Sequence, residues 1–301
     1  MEQRSFGKTD MQVSVLGFGG AEIGMEEMNV SLSDAEKLLG SVLDLGINVL
    51  DTASSYNNSE ELIGRAVSNR RQDYYLFSKC GEGRSVGLNY PDWDARNVRP
   101  SVERSLKRLR TDYLDLVLIH SCTEAILRQG ELIDAVRKLK EDGLVRYIGY
   151  SGDSTDALYA IRTDTFDALE TSLNLADQEA ISLTLEEAEK REMGIIIKRP
   201  IANAVWERSP QEPNYPDPYK ERLRKLDYPF LSSNPNNILE IALRFTLSVP
   251  QVDTMIVGTT NVTHVQENIE HAAKGKLTAT EMNAIRERWR EVCEPAWAGL
   301  K

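Results

Sequence analysis

Short apolar runs alternate along the chain with segments whose apolar residues recur at helical spacing. Residues 4–17 alternate polar and apolar around Gly7-Lys8-Thr9-Asp10, which predicts a small opening hairpin, and residues 13–16 follow as a first strand running into Gly17-Phe18-Gly19-Gly20. Ser33-Asp34-Ala35-Glu36 has the form of a capping box ahead of Leu38, Leu39, Val42 and Leu45, with Gly46 closing the helix. Strands are predicted at 47–50, 74–78, 114–119, 145–150, 166–169, 194–197 and 254–257. Helices fall between them, near 60–67, at Val98, Val102, Leu106 and Leu109 with Pro100 in the first turn, at Ile133, Val136 and Leu139, and over 157–161 and 185–190. A proline-rich segment, 208–237, interrupts the rhythm before helices at 238–247, 262–272 and 280–292.

Eight strand–helix alternations with no low-complexity linker predict one domain over residues 1–301. The fold class is α/β, a (β/α)8 TIM barrel with an N-terminal β-hairpin and an extra C-terminal helix, favoured over a doubly wound sheet. The nearest match to a dinucleotide fingerprint, Gly17-Phe18-Gly19-Gly20-Ala21-Glu22, fails at its third glycine, and there is no P-loop. Long loops after the third and seventh strands would wall the carboxyl face of the barrel.

Charge narrows the partners. Lys+Arg 36 against Asp+Glu 47 gives a net charge of −11, which disfavours nucleic acid or an anionic membrane surface. Cys80, Cys122 and Cys293 are scattered, with no CxxC, as expected of reduced thiols in the cytoplasm. No signal core or membrane-length apolar run is present in the sequence. The partner expected is a small molecule; the oligomeric state stays open, with a monomer favoured.

The candidate chemistry sits where apolar runs stop. Ile47-Asn48-Val49-Leu50 ends in Asp51, the 74–78 run in Lys79, and the 114–119 run in His120, while Tyr56 follows five residues after Asp51. In parallel α/β folds these strand ends gather reactive groups. A free tyrosine titrates near ~10, so an adjacent ammonium is expected to lower it, and a carboxylate to keep the lysine charged and aimed. With an imidazole to hold a substrate oxygen, the set can give a proton to a carbonyl oxygen as hydride reaches its carbon. Each residue taken singly reads as a strand cap; three strand ends plus a spaced tyrosine read as a site.

Asp51-Thr52-Ala53 with Tyr56, Lys79, Leu118-Ile119-His120, Ile148-Gly149-Tyr150-Ser151, and Ile256-Val257-Gly258-Thr259-Thr260-Asn261 followed by Glu267-Asn268 together make the chain resemble an aldo-keto reductase over essentially its whole length. The resemblance implies a barrel that binds NADP(H) or NAD(H) across its carboxyl face without a Rossmann domain. It implies Tyr56 as general acid in carbonyl reduction and base in alcohol oxidation, tuned by Lys79, with Asp51 paired to Lys79 and His120 orienting the carbonyl. The cofactor would lie along Gly19, Gly20, Ala21 and Asp51, then Ser151 and Glu170, then Lys198, Arg199, Pro200 and Ile201. Its far end would meet Gly258, Thr259, Thr260, Asn261, His264, Glu267 and Asn268.

The chain departs from the family in places. Ser151-Gly152 stands where Ser-Asn usually grips the carboxamide, and Glu170 where glutamine is usual. Lys198 replaces an aromatic that often stacks on the nicotinamide, so its alkyl stem would cover the ring or its head reach a phosphate. Gly258 and His264 replace a lysine and an arginine that hold the 2′-phosphate in many members, though amides at the following helix start can still bind one. The cofactor reading leans to NADP(H) and leaves NAD(H) open. An aldose or polyol dehydrogenase running oxidatively, and a non-catalytic nicotinamide-sensing barrel, are the alternatives; a metal-dependent hydrolase lacks HxH or HExxH. Trp206 is a candidate pocket aromatic, whereas Trp289 is expected in the core and Trp297 packed back on the barrel.

Overall fold

The computed structural model describes residues 1–207 and 217–300. Strand β1 (Gln3–Ser5) pairs antiparallel with β2 (Gln12–Ser14), making the opening hairpin. Gly7 in its turn has φ 50, and a side chain there would strike the backbone at 192–194. The first barrel strand is not 13–16 as the pattern suggested. Residues 12–14 belong to the hairpin, and β3 is Leu16–Gly19, so the glycines read as a loop lie within the barrel wall.

The wall continues with β4 (Val49–Asp51), β5 (Tyr75–Cys80), β6 (Leu114–His120), β7 (Val145–Ser151), β8 (Ala168–Ser172), β9 (Gly194–Lys198) and β10 (Thr254–Val257). These strands pair in parallel and close in the order β10-β3-β4-β5-β6-β7-β8-β9, the expected eight-stranded barrel, opened by the hairpin. One apolar cluster fills its lower interior: Val49, Phe77, Leu116, Leu118, Ala168 and Ile196, capped from below by Phe6, Met11 and Val13 of the hairpin. Phe6 stacks on Phe77 at 5.7 Å. A second, larger cluster seals the strands' outer faces to the helices.

Strand periodicity then determines what stands above that plug. Residues two apart share a face, so Val49 leads to Asp51, Phe77 to Lys79, Leu118 to His120, Ala168 to Glu170 and Ile196 to Lys198. Register carries this around the wall: His120 pairs with Ser151 and Ser151 with Glu170. One period places apolar groups in the barrel floor and ionisable groups at its mouth.

Helix ends depart from the sequence pattern in three places. Ser31, not Ser33, caps the helix Leu32–Asp44, accepting from the Asp34 amide at 3.2 Å. The helix Ala95–Leu109 starts at Asp94, which puts Pro100 in its second turn; the capping geometry of Asp94 outweighed proline's preference for N1. Within the proline-rich segment the chain forms helix Asp217–Leu226 and a short turn Pro229–Ser232, and helix Pro235–Ser248 begins before 238; residues 208–216 lie outside the described residues. The final helix Ala279–Val292 carries a full capping box from Thr278 and Glu281. Trp289 and Trp297 are buried together, 5.3 Å apart, as expected.

Helix Ser59–Val67 approaches helix Ala95–Leu109 so closely that a Cβ on Gly64 would strike the Arg108 carbonyl. Gly64→Ala is therefore expected to destabilise the protein by about 1–3 kcal/mol, as overpacking does. A lower urea midpoint at unchanged slope would register it; an unchanged midpoint would remove this contact as a constraint.

Candidate active site

The loop after β4 is held to the end of β3. The Gly20 amide donates to the Asp51 carbonyl at 2.7 Å, and Ser59 Oγ donates to the Gly20 carbonyl at 2.7 Å. Thr52 Oγ1 lies 2.9 Å from Ser59 Oγ, and the Tyr56 amide closes a turn on Ala53. Gly24 lets the short helix Ala21–Gly24 lie against this loop, since a Cβ there would strike the Tyr56 carbonyl. Tyr56 is thereby aimed over the barrel mouth, its ring centroid 5.4 Å from Lys79 Nζ and 5.9 Å from the His120 ring, edge to face.

Lys79 is buried and donates to Asp51 Oδ1 and, at 3.2 Å, to the Thr52 carbonyl; Glu170 Oε2 lies 3.2 Å from the same ammonium. One ammonium thus stands between two carboxylates. Burial alone would pull the Lys79 pKa down, but Asp51 and Glu170 outweigh it and hold the lysine above its ordinary range. Burial and then repulsion from Glu170 push Asp51 well above the usual carboxylate range. Glu170 goes the other way: burial opposes its ionisation, but Lys79, Lys198 and His120 hold it below its usual value.

Tyr56 does not follow the sequence expectation. Its phenol is pushed up to about 12, because burial outweighs the pull of Lys79 and because Asp51 and Glu170 oppose phenolate as well. The expected lowering assumed one carboxylate beside the lysine; the second, Glu170, leaves less positive potential for the phenol.

The residues singled out for a cofactor fall into three groups. Ser151 Oγ donates to Glu170 Oε1 at 3.2 Å, joining two of them. Lys198 reaches Asp153 at 3.1 Å, while Arg199 bonds Ser172 Oγ and the Leu300 carbonyl, both at 2.8 Å. Their heads therefore serve the loop after β7 and the C-terminal tail, and are not the surface pair of the plain reading. Pro200 and Ile201 lead into a stretch the sequence did not flag. Arg199, Ala202, Asn203 and Ala204 all have positive φ without being glycine, the kind of strained backbone that collects at ligand clamps.

The third group lies across β3 and β10. Gly258 is beside Gly19, and a Cβ on it would meet the Gly19 carbonyl at 3.0 Å. Thr259 Oγ1 accepts from the Asn261 amide at 3.1 Å and lies 3.2 Å from His264 Nδ1, while Asn261 caps helix Val262–Ala273. Thr260 is exposed and Glu267 half-buried; Asn268 is buried, lining a small cleft with Thr259 and Val265. Ala21 opens the short helix beside Gly20.

Two further residues at the mouth escaped sequence reasoning. Glu82 bonds His120 Nδ1 and accepts from Ser55 Oγ at 2.9 Å; Trp93 Nε1 donates to the His120 carbonyl at 2.7 Å. Both come from the loop after β5, where no periodicity marks direction. Trp206 is half-buried against the core, with its indole nitrogen unpartnered among the described residues.

Among the described residues no helix is long and apolar enough to cross a membrane. A model described as "Aldo/keto reductase family" matches residues 15–290. The chain is 29% identical to L-galactose dehydrogenase of Arabidopsis thaliana over 98% of both chains. It is also 29% identical to the NADH-specific methylglyoxal reductase of Escherichia coli, over 52% of this chain and 53% of that one. Among solved structures, aldo-keto reductase AKR11C1 of Bacillus halodurans in its holo form superposes with a TM-score of 0.82 at 27% identity, covering 96% of each chain.

Removing the cation from the Asp51–Lys79–Glu170 cluster isolates its geometry experimentally. Lys79→Met is expected to cost about 3–5 kcal/mol near neutral pH, because it leaves two buried carboxylates facing one another. Without the ammonium both carboxyls should titrate above their unfolded values, so the folded variant binds more protons. Its stability should then be greatest at low pH and fall as pH rises through the raised values. Urea unfolding on both sides of that window measures it; a pH-independent loss would mean the carboxylates do not face each other.

Proposed function

Since the chain belongs to the aldo/keto reductase family, we propose that it interconverts a small aldehyde, ketone or sugar carbonyl and its alcohol with a nicotinamide cofactor. The observation that carries this reading is Tyr56 over the barrel mouth, flanked by Lys79 and His120, with Lys79 clamped by Asp51 and Glu170. The chain's residues fit the cofactor. Ser151 and Glu170 offer a hydroxyl and a carboxylate for the carboxamide, with Glu170 Oε1 facing Ser151 Oγ and Oε2 facing the Lys79 ammonium. In the strained turn at 199–204 the Ala202 and Ala204 amides serve the Arg199 and Ile201 carbonyls and Pro200 has no N–H, so the pyrophosphate would rest on the amides of Ile201 and Asn203.

A bound reduced nicotinamide supplies the hydride. Tyr56 gives its phenolic proton to the substrate oxygen as charge develops there, and takes it back in alcohol oxidation. A phenol near 12 remains the stronger acid against a hydroxyl of water-like pKa, ~15.7. Lys79 holds positive charge beneath Tyr56 and stabilises its phenolate; Asp51 and Glu170 keep the lysine charged and immobile. His120 presents its outer edge to the same oxygen.

The cofactor reading leans to NADP(H) on family precedent. Gly258 and His264 supply no fixed charge, so a 2′-phosphate would rest on Thr259, Thr260 and the amides at the start of helix Val262–Ala273. The E. coli relative is named for NADH, and the alternative is settled by KM: an NAD(H) preference on the order of tenfold, ~1.4 kcal/mol, would reverse the lean. A reducing cytoplasmic location suits free Cys80, Cys122 and Cys293.

Tyr56→Phe tests the assignment. Reduction of an aldehyde and sugar panel, followed by loss of the reduced nicotinamide's near-ultraviolet absorbance, should fall by roughly 10²–10⁴-fold. Cofactor affinity should stay within about threefold, since only a hydroxyl is removed. Retained turnover would sink the role of Tyr56. Tight cofactor binding by the native protein without any turnover would favour the sensor.

A further inference from the structure

Tyr56 and Lys79 reach the barrel mouth on different elements, so something has to fix their spacing. Tyr56 lies in the loop after β4, while Lys79 is on β5 and faces inward with Phe77. The backbone ties that loop to β5 at Thr52 and Ser54, whose amides donate to the Phe77 and Lys79 carbonyls. Tyr56 lies beyond the last of these, where side chains take over.

Ser78, the residue before the lysine, faces outward toward the helices. There its Oγ donates to Glu60 Oε1 at 2.8 Å. Glu60 is buried in the first turn of helix Ser59–Val67, directly behind the loop that carries Tyr56. One carboxylate outside the wall therefore ties the segment bearing the phenol to the strand bearing the ammonium.

The tie has a second limb. Arg108 Nη1 lies 3.5 Å from Glu60 Oε2, and Arg108 Nη2 donates to the carbonyl of Asn57, the residue after Tyr56. Asn57 has φ 41, a left-handed conformation that asparagine tolerates better than most. Arg104, one turn earlier in helix Ala95–Leu109, reaches the Ser54 carbonyl at 3.4 Å, so the loop is held on both sides of the tyrosine. Arg108 comes this near because Gly64 has no side chain to strike its carbonyl. The contacts run from Lys79 and Ser78 through Glu60 and Arg108 to Asn57 and Tyr56, whose ring centroid stands 5.4 Å from Lys79 Nζ.

Resting on the carbonyl–alcohol reading above, we propose that Glu60 is a positioning residue for proton transfer: through Ser78 and Arg108 it fixes, from outside the barrel, the distance between the Tyr56 phenol and the Lys79 ammonium. A phenol gives up its proton along a hydrogen bond that tolerates little displacement, and the field of the lysine weakens as the two move apart. Glu60 itself stays clear of substrate and cofactor.

The two limbs can be cut one at a time in the full chain. Ser78→Ala removes the link on the lysine side, and Ser105 and Arg108 still hold the carboxylate there. Arg108→Lys removes the link on the tyrosine side, because an ammonium serves Glu60 but lacks the fork that also spans to Asn57. Each should slow reduction in a single turnover, counted per cofactor-binding site, by roughly tenfold, less than the ~10²-fold of a 1 Å misplacement. Cofactor Kd should not change. Since both cuts release the same spacing, the double variant should be no slower than the slower single. Ring ¹³Cζ spectra, with Tyr56 assigned by its absence in Tyr56→Phe, should show its line displaced in both variants.

A merely structural role predicts fewer binding sites with an unchanged rate at each, and losses that multiply in the double variant. Either of those results, or a stationary Tyr56 line in both variants, would overturn the proposal. The spectra need no turnover, so a displaced line in a protein that reduces nothing would refute the reaction while upholding the brace.

Discussion

Everything at the barrel mouth is arranged about one buried ammonium. Lys79 has no exposed side-chain surface and is held by Asp51, Glu170 and the Thr52 carbonyl. Burying an isolated ammonium would neutralise it or cost several kcal/mol; two carboxylates from opposite sides of the wall, Asp51 on β4 and Glu170 on β8, prevent both. The arrangement has a consequence in charge. Burial raises Asp51 and repulsion from Glu170 adds to it, while Lys79 outweighs the burial of Glu170 and holds that carboxyl down, so the pair's titrations are driven apart. Burial is what chiefly opposes ionisation of Tyr56, outweighing Lys79, and the negative charge of Asp51 and Glu170 adds to it. A lysine beside a tyrosine does not by itself predict a low tyrosine pKa. The sign depends first on how deeply the phenol is buried, and then on how much of the lysine's field its own partners consume.

The parts of this site legible in the sequence were those fixed by strand geometry. Val49→Asp51, Phe77→Lys79 and Leu118→His120 each follow a period of two from a buried position to the mouth, and the apolar run marks that period plainly. The barrel was legible for the same reason. Boundaries were lost where a local rule competed with another. Gly17 and Gly19 looked like a loop because glycine is poor in strands, yet Gly17 sits where a Cβ would crowd Ile256 and Val49 at 3.0–3.1 Å. Pro100 looked like a helix start until the Asp94 cap, six residues earlier, set it.

Glu82 and Trp93 were illegible for a different reason. They lie in the loop 81–94, where direction is set by pairwise contacts: the Gly83 amide to Asp92, the Trp93 amide to Gly81, the indole to His120. No spacing rule in a sequence encodes such contacts. Glu170 was legible by position but not by partner. Its register with Ser151 was expected to serve the carboxamide, whereas it also completes the charge clamp on Lys79.

Two of the chain's departures from family pattern have a common physical basis. A side chain at Gly152 would meet the Tyr150 ring at 2.6 Å, and Tyr150 is itself pinned by its hydroxyl to the Cys122 carbonyl at 2.6 Å. Asparagine cannot enter there unless Tyr150 moves, so the polar work at this edge of the barrel falls on Ser151 and its neighbour. Glu170, bonded to Ser151 and paired with Lys79, is that neighbour. A glutamine at 170 would offer a donor but leave Asp51 as the one carboxylate on Lys79; glutamate gives up the donor and adds a second negative charge beside the ammonium. The packing of Tyr150 and the charge on Glu170 thus belong to one solution, in which a lost side chain at 152 is offset by a carboxylate that both grips Ser151 and immobilises Lys79.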